Sequence, residues 1–157
     1  MNLPLSKQVK AIAIYQIVGG LLGIALTVWV LFSGETVIDQ LNLRISLFAG
    51  ALYVFSILCG RMLFRNLRRG LILSIVNQLL QVVYISIGTF GFQYVAGLRV
   101  GIGVDMVAGW IFKLRLALSS FHFNLGIDNG QKFIGLNLVA LFMIFWLERL
   151  LEKEKQS

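Results

Sequence analysis

Four apolar runs, each with basic residues gathered at one end, dominate this sequence. Residues 11–32 and 71–94 carry no charged side chain, and residues 45–64 carry only Arg61. A bilayer-spanning helix needs roughly 20 mainly apolar residues, a length these three runs meet. A fourth run, 133–151, is interrupted by Glu148 and Arg149. It still spans if those two side chains reach headgroup level and the bilayer thins locally. Hydrophobic residues make up 58% of the chain and charged residues 13%, whereas soluble domains run near half and a quarter. The expected fold is therefore membrane α-helical. It is a four-helix, four-span bundle in a single integral membrane domain over 1–157, with spans at about 11–32, 45–64, 71–94 and 133–151.

Charge placement orients this expectation. Lys7 and Lys10 precede the first run, Arg65, Arg68 and Arg69 crowd the turn after the second, and Arg149, Lys153 and Lys155 cluster at the end of the fourth. The connection 33–43 has Glu35 and Asp39 and no base. Cytoplasmic segments retain Lys and Arg, so both termini and the arginine turn are expected in the cytoplasm. Arg65, Arg68 and Arg69 then act as topology determinants, with anionic lipid headgroups as a secondary partner. The first run exceeds the 7–15 apolar residues of a cleaved signal and ends in Trp29-Val30-Leu31-Phe32, so it reads as a retained helix. The expected location is the cell inner (plasma) membrane. The net charge of +7 is explained by this topology, and no soluble module is visible that would bind nucleic acid.

The connection 95–132 is patterned rather than polar. Leu98, Val100, Ile102 and Val104 alternate with Arg99, Gly101, Gly103 and Asp105. Further on, Phe112, Leu114, Leu116 and Leu118 alternate with Lys113, Arg115, Ala117 and Ser119. Period two argues for half-buried strands. The same residues also fit an interfacial helical stripe, against which Gly101, Gly103 and Gly109 argue. The expectation is a small antiparallel β element of two or three strands in the outer loop, its apolar face resting on the helices, the membrane or a protein partner. Within it, Asp105 can pair with Arg99, Lys113 or Arg115 across strands.

Each of the first three runs carries one small or polar stripe. Gly19, Gly20 and Gly23 lie in the first run and Gly50 and Gly60 in the second, where small residues let helices approach. The third run places Ser74, Asn77, Gln78, Gln81 and Tyr84 on one helical face. Amides bond neighbouring helices where lipid offers no partner, or they line a polar cavity or pore.

Chemistry is otherwise absent from the sequence. Cys59 and His122 are the lone cysteine and histidine. That leaves no disulfide, no metal-ligand spacing and no expected cofactor. No Asp or Glu lies in the first three runs, which removes the ionisable group a coupled transporter uses. No catalytic residues are assigned. The functional expectation is a non-enzymatic accessory or assembly subunit of a membrane complex, with lipid bilayer and a protein at loop 95–132 as partners and homo-oligomers allowed. The alternative is an oligomeric channel or facilitator lined by the third-run amides.

Overall fold

The computed structural model describes residues 5–33, 40–107, 111–126, 130 and 132–156. Its elements are α1 (Leu5–Phe32), α2 (Gln40–Arg65), α3 (Leu67–Val82), β1 (Val83–Ile87), β2 (Phe90–Asp105), β3 (Ile111–Leu125), β4 (Lys132–Asn137) and α4 (Leu138–Gln156).

The expected four-span helical bundle is not what this chain forms. Among the described residues, only α1 and α2 are long and apolar enough to cross a membrane. They have 28 and 26 residues, about 42 and 39 Å of helix. The third run is half helix and half sheet. Helix α3 has 16 residues, about 24 Å, and passes into extended backbone at Val83. There Val82, Val83, Tyr84 and Ile85 supply the β-branched and aromatic residues that suit a pleated surface. A two-residue turn at Gly88 and Thr89 follows, with Gly88 at φ +55°, and it folds β1 back onto β2. The fourth run is split the same way. Its start is strand β4, and Asn137 accepts a hydrogen bond from Val139 N at 3.1 Å to begin α4. Charged residues from Glu148 onward leave α4 too short an apolar stretch to span.

The strands are therefore more extensive than an outer-loop hairpin. Four of them form an antiparallel sheet in the order β1-β4-β2-β3, and β1 also pairs with β2. The start of β2 pairs with β1, its end pairs with β4, and β1 and β4 pair with each other. Strand β2 must bend for this to happen. The bend is a bulge between Val95 and Leu98, where Ala96 and Gly97 lie opposite Ser119. Gly97 has φ +110°, and a Cβ there would lie 2.7 Å from the Tyr15 ring, so both backbone and space require glycine.

Two layers of packing follow. Val9, Ile12 and Ala13 of α1 meet Leu63, Leu71, Met143, Leu147 and Leu150, so all four helices share one core. The Trp146 indole N–H donates to Gln8 Oε1 at 3.1 Å beside that core. Beyond it, Ala49 and Tyr53 of α2 pack on Tyr94 and Ala96 of β2. The basic turn after α2, the start of α1 and the end of α4 consequently lie at one end of the molecule, and the sheet lies toward the other.

Polarity runs opposite to that of a water-soluble core. Gln16, Ser56, Ser74, Asn77, Gln78, Gln81, Arg99, Ser119 and Asn137 are buried. Trp29, Phe32, Leu47, Phe112, Leu114 and Leu116 are exposed, Phe112 at 84% and Phe32 at 82%. Strand β4 shows this at single-residue resolution. Phe133, Gly135 and Asn137 are buried, and Ile134 and Leu136 between them are exposed.

Candidate functional site

The amides of the third run are structural partners of one another and of the sheet. Ser74 Oγ donates to Gln16 Oε1 at 3.1 Å, and Ser56 Oγ donates to the Gln16 carbonyl at 3.1 Å. Asn77 Nδ2 donates to Ser56 Oγ at 3.2 Å. The Tyr94 hydroxyl lies 2.8 Å from the Leu52 carbonyl and 3.2 Å from Asn77 Oδ1. Gln81 Oε1 accepts from Ala96 N at 2.8 Å, and its Nε2 donates to the Asn77 carbonyl at 3.2 Å. One side-chain network thus ties α1, α2, α3 and β2 together. Ser74 and Asn77 have no exposed surface, so no water-sized space touches them. Gln16 Nε2 and Gln78 Nε2 are buried without a hydrogen-bond partner among the described residues. Tyr84 does not belong to this group, because it sits on β1 rather than on a continued helix.

The glycines divide as well. A Cβ at Gly20 would lie 2.7 Å from the Tyr53 carbonyl, and one at Gly60 would lie 2.7 Å from the Ala13 carbonyl. These two hold α1 and α2 at close approach. Gly23 faces the Tyr53 ring, and Gly19 faces β2 at Ala96 and Gly97. Gly50 faces open space. Arg65, Arg68 and Arg69 are exposed around the turn where Asn66 Oδ1 accepts from Arg69 N at 3.1 Å.

The chemically dense region is the covered side of the sheet, which gathers one aromatic or basic residue from each strand. The Tyr84 ring of β1 stacks on Phe133 of β4, with centroids 5.2 Å apart and planes at 22°. The Arg99 guanidinium of β2 lies 4.5 Å from the Tyr84 centroid, and that of Arg115 of β3 lies 3.9 Å from the Phe133 centroid. Both are cation–π contacts. Gly101 and Gly135 leave the room that the Tyr84 ring fills.

Arg99 is 5% exposed, and its Nε and Nη1 have no hydrogen-bond partner among the described residues. Burial, and then the neighbouring Arg115, lower its pKa, while Tyr84 pulls it the other way. Burial raises the pKa of Tyr84, against the pull of Arg99 and Arg115. The Tyr84 and Ser86 hydroxyls are also buried without partners among the described residues. Asp105 is not the counterion of Arg99. Its Oδ2 accepts from Lys113 Nζ at 2.6 Å, and its Oδ1 accepts from Val107 N at 3.0 Å. A cleft of about 290 Å³ opens on this side, lined by Tyr84, Ile85, Ser86, Gln93, Arg115, His122 and Phe133. No group of three or more His, Cys, Asp or Glu that could hold a metal occurs among the described residues.

Sequence reasoning missed Phe133, Ser86 and the joint role of Arg99 with Arg115. The available signal was parity. From Leu98 to Asp105 of β2 and along β4, the charged, glycine and amide residues share one face with Phe133, and the branched aliphatics share the other.

The outer side of the sheet is a continuous apolar surface. Cross-strand partners there are Leu98 with Leu118, Val100 with Leu116, Ile102 with Leu114 and Val104 with Phe112. Leu136 and Ile134 of β4 continue it beside Ile102 and Val104. A groove of about 380 Å³ crosses it between Ile102, Val104, Met106, Phe112, Ile134 and Leu136.

Comparison with protein-family models, with curated proteins and with solved structures finds no match for this chain.

Proposed function

We propose that this chain is an integral membrane protein acting as a non-enzymatic accessory or assembly component, whose sheet offers an apolar surface to a protein partner within or beside the bilayer. The observation that carries this reading is the outer sheet face. Leu114, Leu116 and Leu118 are 65–70% exposed, and they continue into Ile102 and Leu136 across three strands. An uncovered apolar surface of this extent, on strands whose polar residues turn inward, has a stable place only against lipid or protein. The edge of β3 away from β2 has no strand partner among the described residues. Unpaired backbone groups are costly in hydrocarbon, which favours protein over lipid along β3.

The hairpin of α1 and α2 is the spanning unit in this proposal. The best 18-residue windows of the two helices have mean hydropathies of 2.0 and 1.8, and a third of each is buried. The basic end, with Lys7, Lys10, Arg61, Arg65, Arg68 and Arg69, then faces the cytoplasm, and the sheet lies on the far side.

Membranes carrying the chain with a photo-crosslinking amino acid at Leu116 test both parts. The protein should remain in the pellet on alkaline extraction. The probe should yield one discrete protein adduct, which disappears when Leu114 and Leu118 are changed to Lys. Release by alkali would end the membrane reading. Adducts to lipid alone would end the partner reading. An adduct at twice the chain's own mass would make the partner a second copy.

A further inference from the structure

We propose that the end of the helical hairpin nearer the sheet binds the uncharged, oxygen-bearing head of a membrane lipid, such as an isoprenoid quinone or alcohol, in a pocket between α1, α2 and β3. The site shares the membrane placement of the proposed function and is separate from the outer sheet face that the partner reading uses.

The hairpin closes tightly at one end and leaves a gap at the other. Gly20 meets the Tyr53 carbonyl and Gly60 meets the Ala13 carbonyl. Toward the start of α2, the gap is faced by Asn42, Ser46 and Ala49, which share one helical face. These side chains are too short to fill it, and a pocket of about 380 Å³ remains. Leu26, Thr27 and Val30 of α1 form one wall, and Ser119, Ser120 and Phe121 of β3 form another. Tyr53 forms the closed end, its ring against Gly23 and 5.6 Å from the Tyr94 ring. Side chains of a helix lean toward its N-terminus, which carries the Tyr53 hydroxyl toward Ala49 and Ser46 and into the pocket. Leu26 and Val30, each 45% exposed, are the lip on the lipid side. The exposed Trp29 and Phe32 of the same two turns mark the headgroup boundary, so the mouth opens within the leaflet nearer the sheet.

The lining decides the chemistry of the ligand. Thr27 and Ser119 are bonded to the Gly23 and Gly19 carbonyls, and Ser120 accepts from Gln93 Nε2. Tyr53 is only 1% exposed, yet its hydroxyl makes no hydrogen bond among the described residues, and neither does that of Ser46. A hydroxyl at the closed end of an apolar pocket is costly without a partner, which marks a place for a ligand oxygen. No described lining residue is charged. An ionic head would lose its hydration there with nothing to replace it, so phosphate and carboxylate heads do not fit. A carbonyl or hydroxyl oxygen accepts from Tyr53 without that penalty, and Leu31, Ile45 and Phe121 surround the hydrocarbon next to it. The volume lies at the lower end of ligand-sized pockets, too small for a whole lipid. The head therefore enters toward Tyr53, and the tail leaves past Leu26 and Val30 into the bilayer.

The test uses the full chain in phosphatidylcholine nanodiscs, with empty nanodiscs as the baseline for partitioning. Tritiated decylubiquinone probes a carbonyl head and tritiated farnesol a hydroxyl head. Saturable binding of one ligand per chain is expected for at least one of them, and the probe that binds identifies the head. Farnesyl phosphate, a charged head, should fail to displace it. Ser46→Leu fills the pocket and should abolish binding, and Tyr53→Phe should weaken it several-fold. Leu116→Ser, on the outer sheet face, should leave it unchanged. Tyr53→Phe keeps the ring and its packing, so the test stands if Ser46→Leu fails to fold. Absence of saturable binding for both probes would overturn the proposal. So would displacement by farnesyl phosphate, equal loss in Leu116→Ser, or full binding by folded Ser46→Leu and Tyr53→Phe proteins. Alkaline extraction reports the membrane placement separately, so failure here with the chain still in the pellet would remove this site alone.

Discussion

The Ser119 hydroxyl on β3 donates a 2.9 Å hydrogen bond to the Gly19 carbonyl in the middle of α1, although the two residues are 100 positions apart. The same oxygen accepts from Gly97 N at 2.9 Å across the bulge. One side chain therefore joins the helical hairpin, the bent strand and its neighbour. The contact needs a bare backbone on α1. A Cβ at Gly19 would lie 2.7 Å from the Ala96 carbonyl carbon and from Gly97 N.

Gly19→Ala is expected to push β2 away from α1 and to cost about 1–3 kcal/mol, in the range of overpacked sites. Gly50→Ala is the opposite case. It meets nothing within 4 Å, so it should gain up to about 1 kcal/mol of helix propensity. Thermal unfolding in detergent checks both signs. Similar midpoints for the two variants would contradict the close approach at Gly19.

The amide network predicts a difference between neighbours. Gln81→Leu removes the acceptor of the buried Ala96 N–H and should cost about 1–3 kcal/mol. Gln78→Leu removes an Nε2 that has no partner among the described residues, so it should cost less or stabilise. Chemical denaturation of the two variants side by side measures this. A greater loss in Gln78→Leu would mean that the two amides play other roles.

Much of this architecture was legible, and the misreadings have a physical origin. The apolar lengths of α1 and α2 and the arginine turn around Asn66 follow from composition and charge alone. The period-two segments on either side of 106–110 form β2 and β3. Residues 71–94 misled because Tyr84 continues the helical spacing of the buried Ser74, Asn77, Gln78 and Gln81, and because the exposed positions of both α3 and β1, such as Val76, Leu79, Val83 and Ile87, are apolar, so no change of polarity marks the break at Val83. Strand β4 misled for a different reason. Its order is decided by pairing with β1 and β2, far away in sequence, and no local window contains that information. The cleft was the least legible feature. Tyr84 fits a helical amide stripe when counted at 3.6 residues per turn, and only the break at Val83 turns it toward Arg99.

Cys59 offers a direct reading of the folded state. It is the only cysteine in the chain and is fully buried, with its thiol 3.4 Å from the Leu73 carbonyl between α2 and α3. Maleimide labelling in mild detergent should be negligible, become stoichiometric in denaturant, and accelerate in Gly19→Ala in step with its loss of stability. Rapid labelling of the native protein would place Cys59 on an open surface.

The Asp105–Lys113 pair gives the sheet a pH dependence whose sign follows from its geometry. The hydrogen bond from Lys113, followed by the one from Val107 N, holds the Asp105 carboxyl below its ordinary range. The folded value is then lower than the unfolded one. The pair contributes stability above the ordinary carboxylate range, and the contribution is lost as pH falls through the lowered folded value. Asp105→Asn should flatten this acid limb while leaving higher pH little changed, because an exposed pair adds little. Protection of the β2–β3 amides against hydrogen exchange, corrected for intrinsic rates and followed from about pH 6 to about pH 3, compares the two proteins across that limb. Added salt should shrink the difference between them by screening the pair. Parallel acid limbs in the wild type and Asp105→Asn would show that another carboxylate sets the acid behaviour of the sheet.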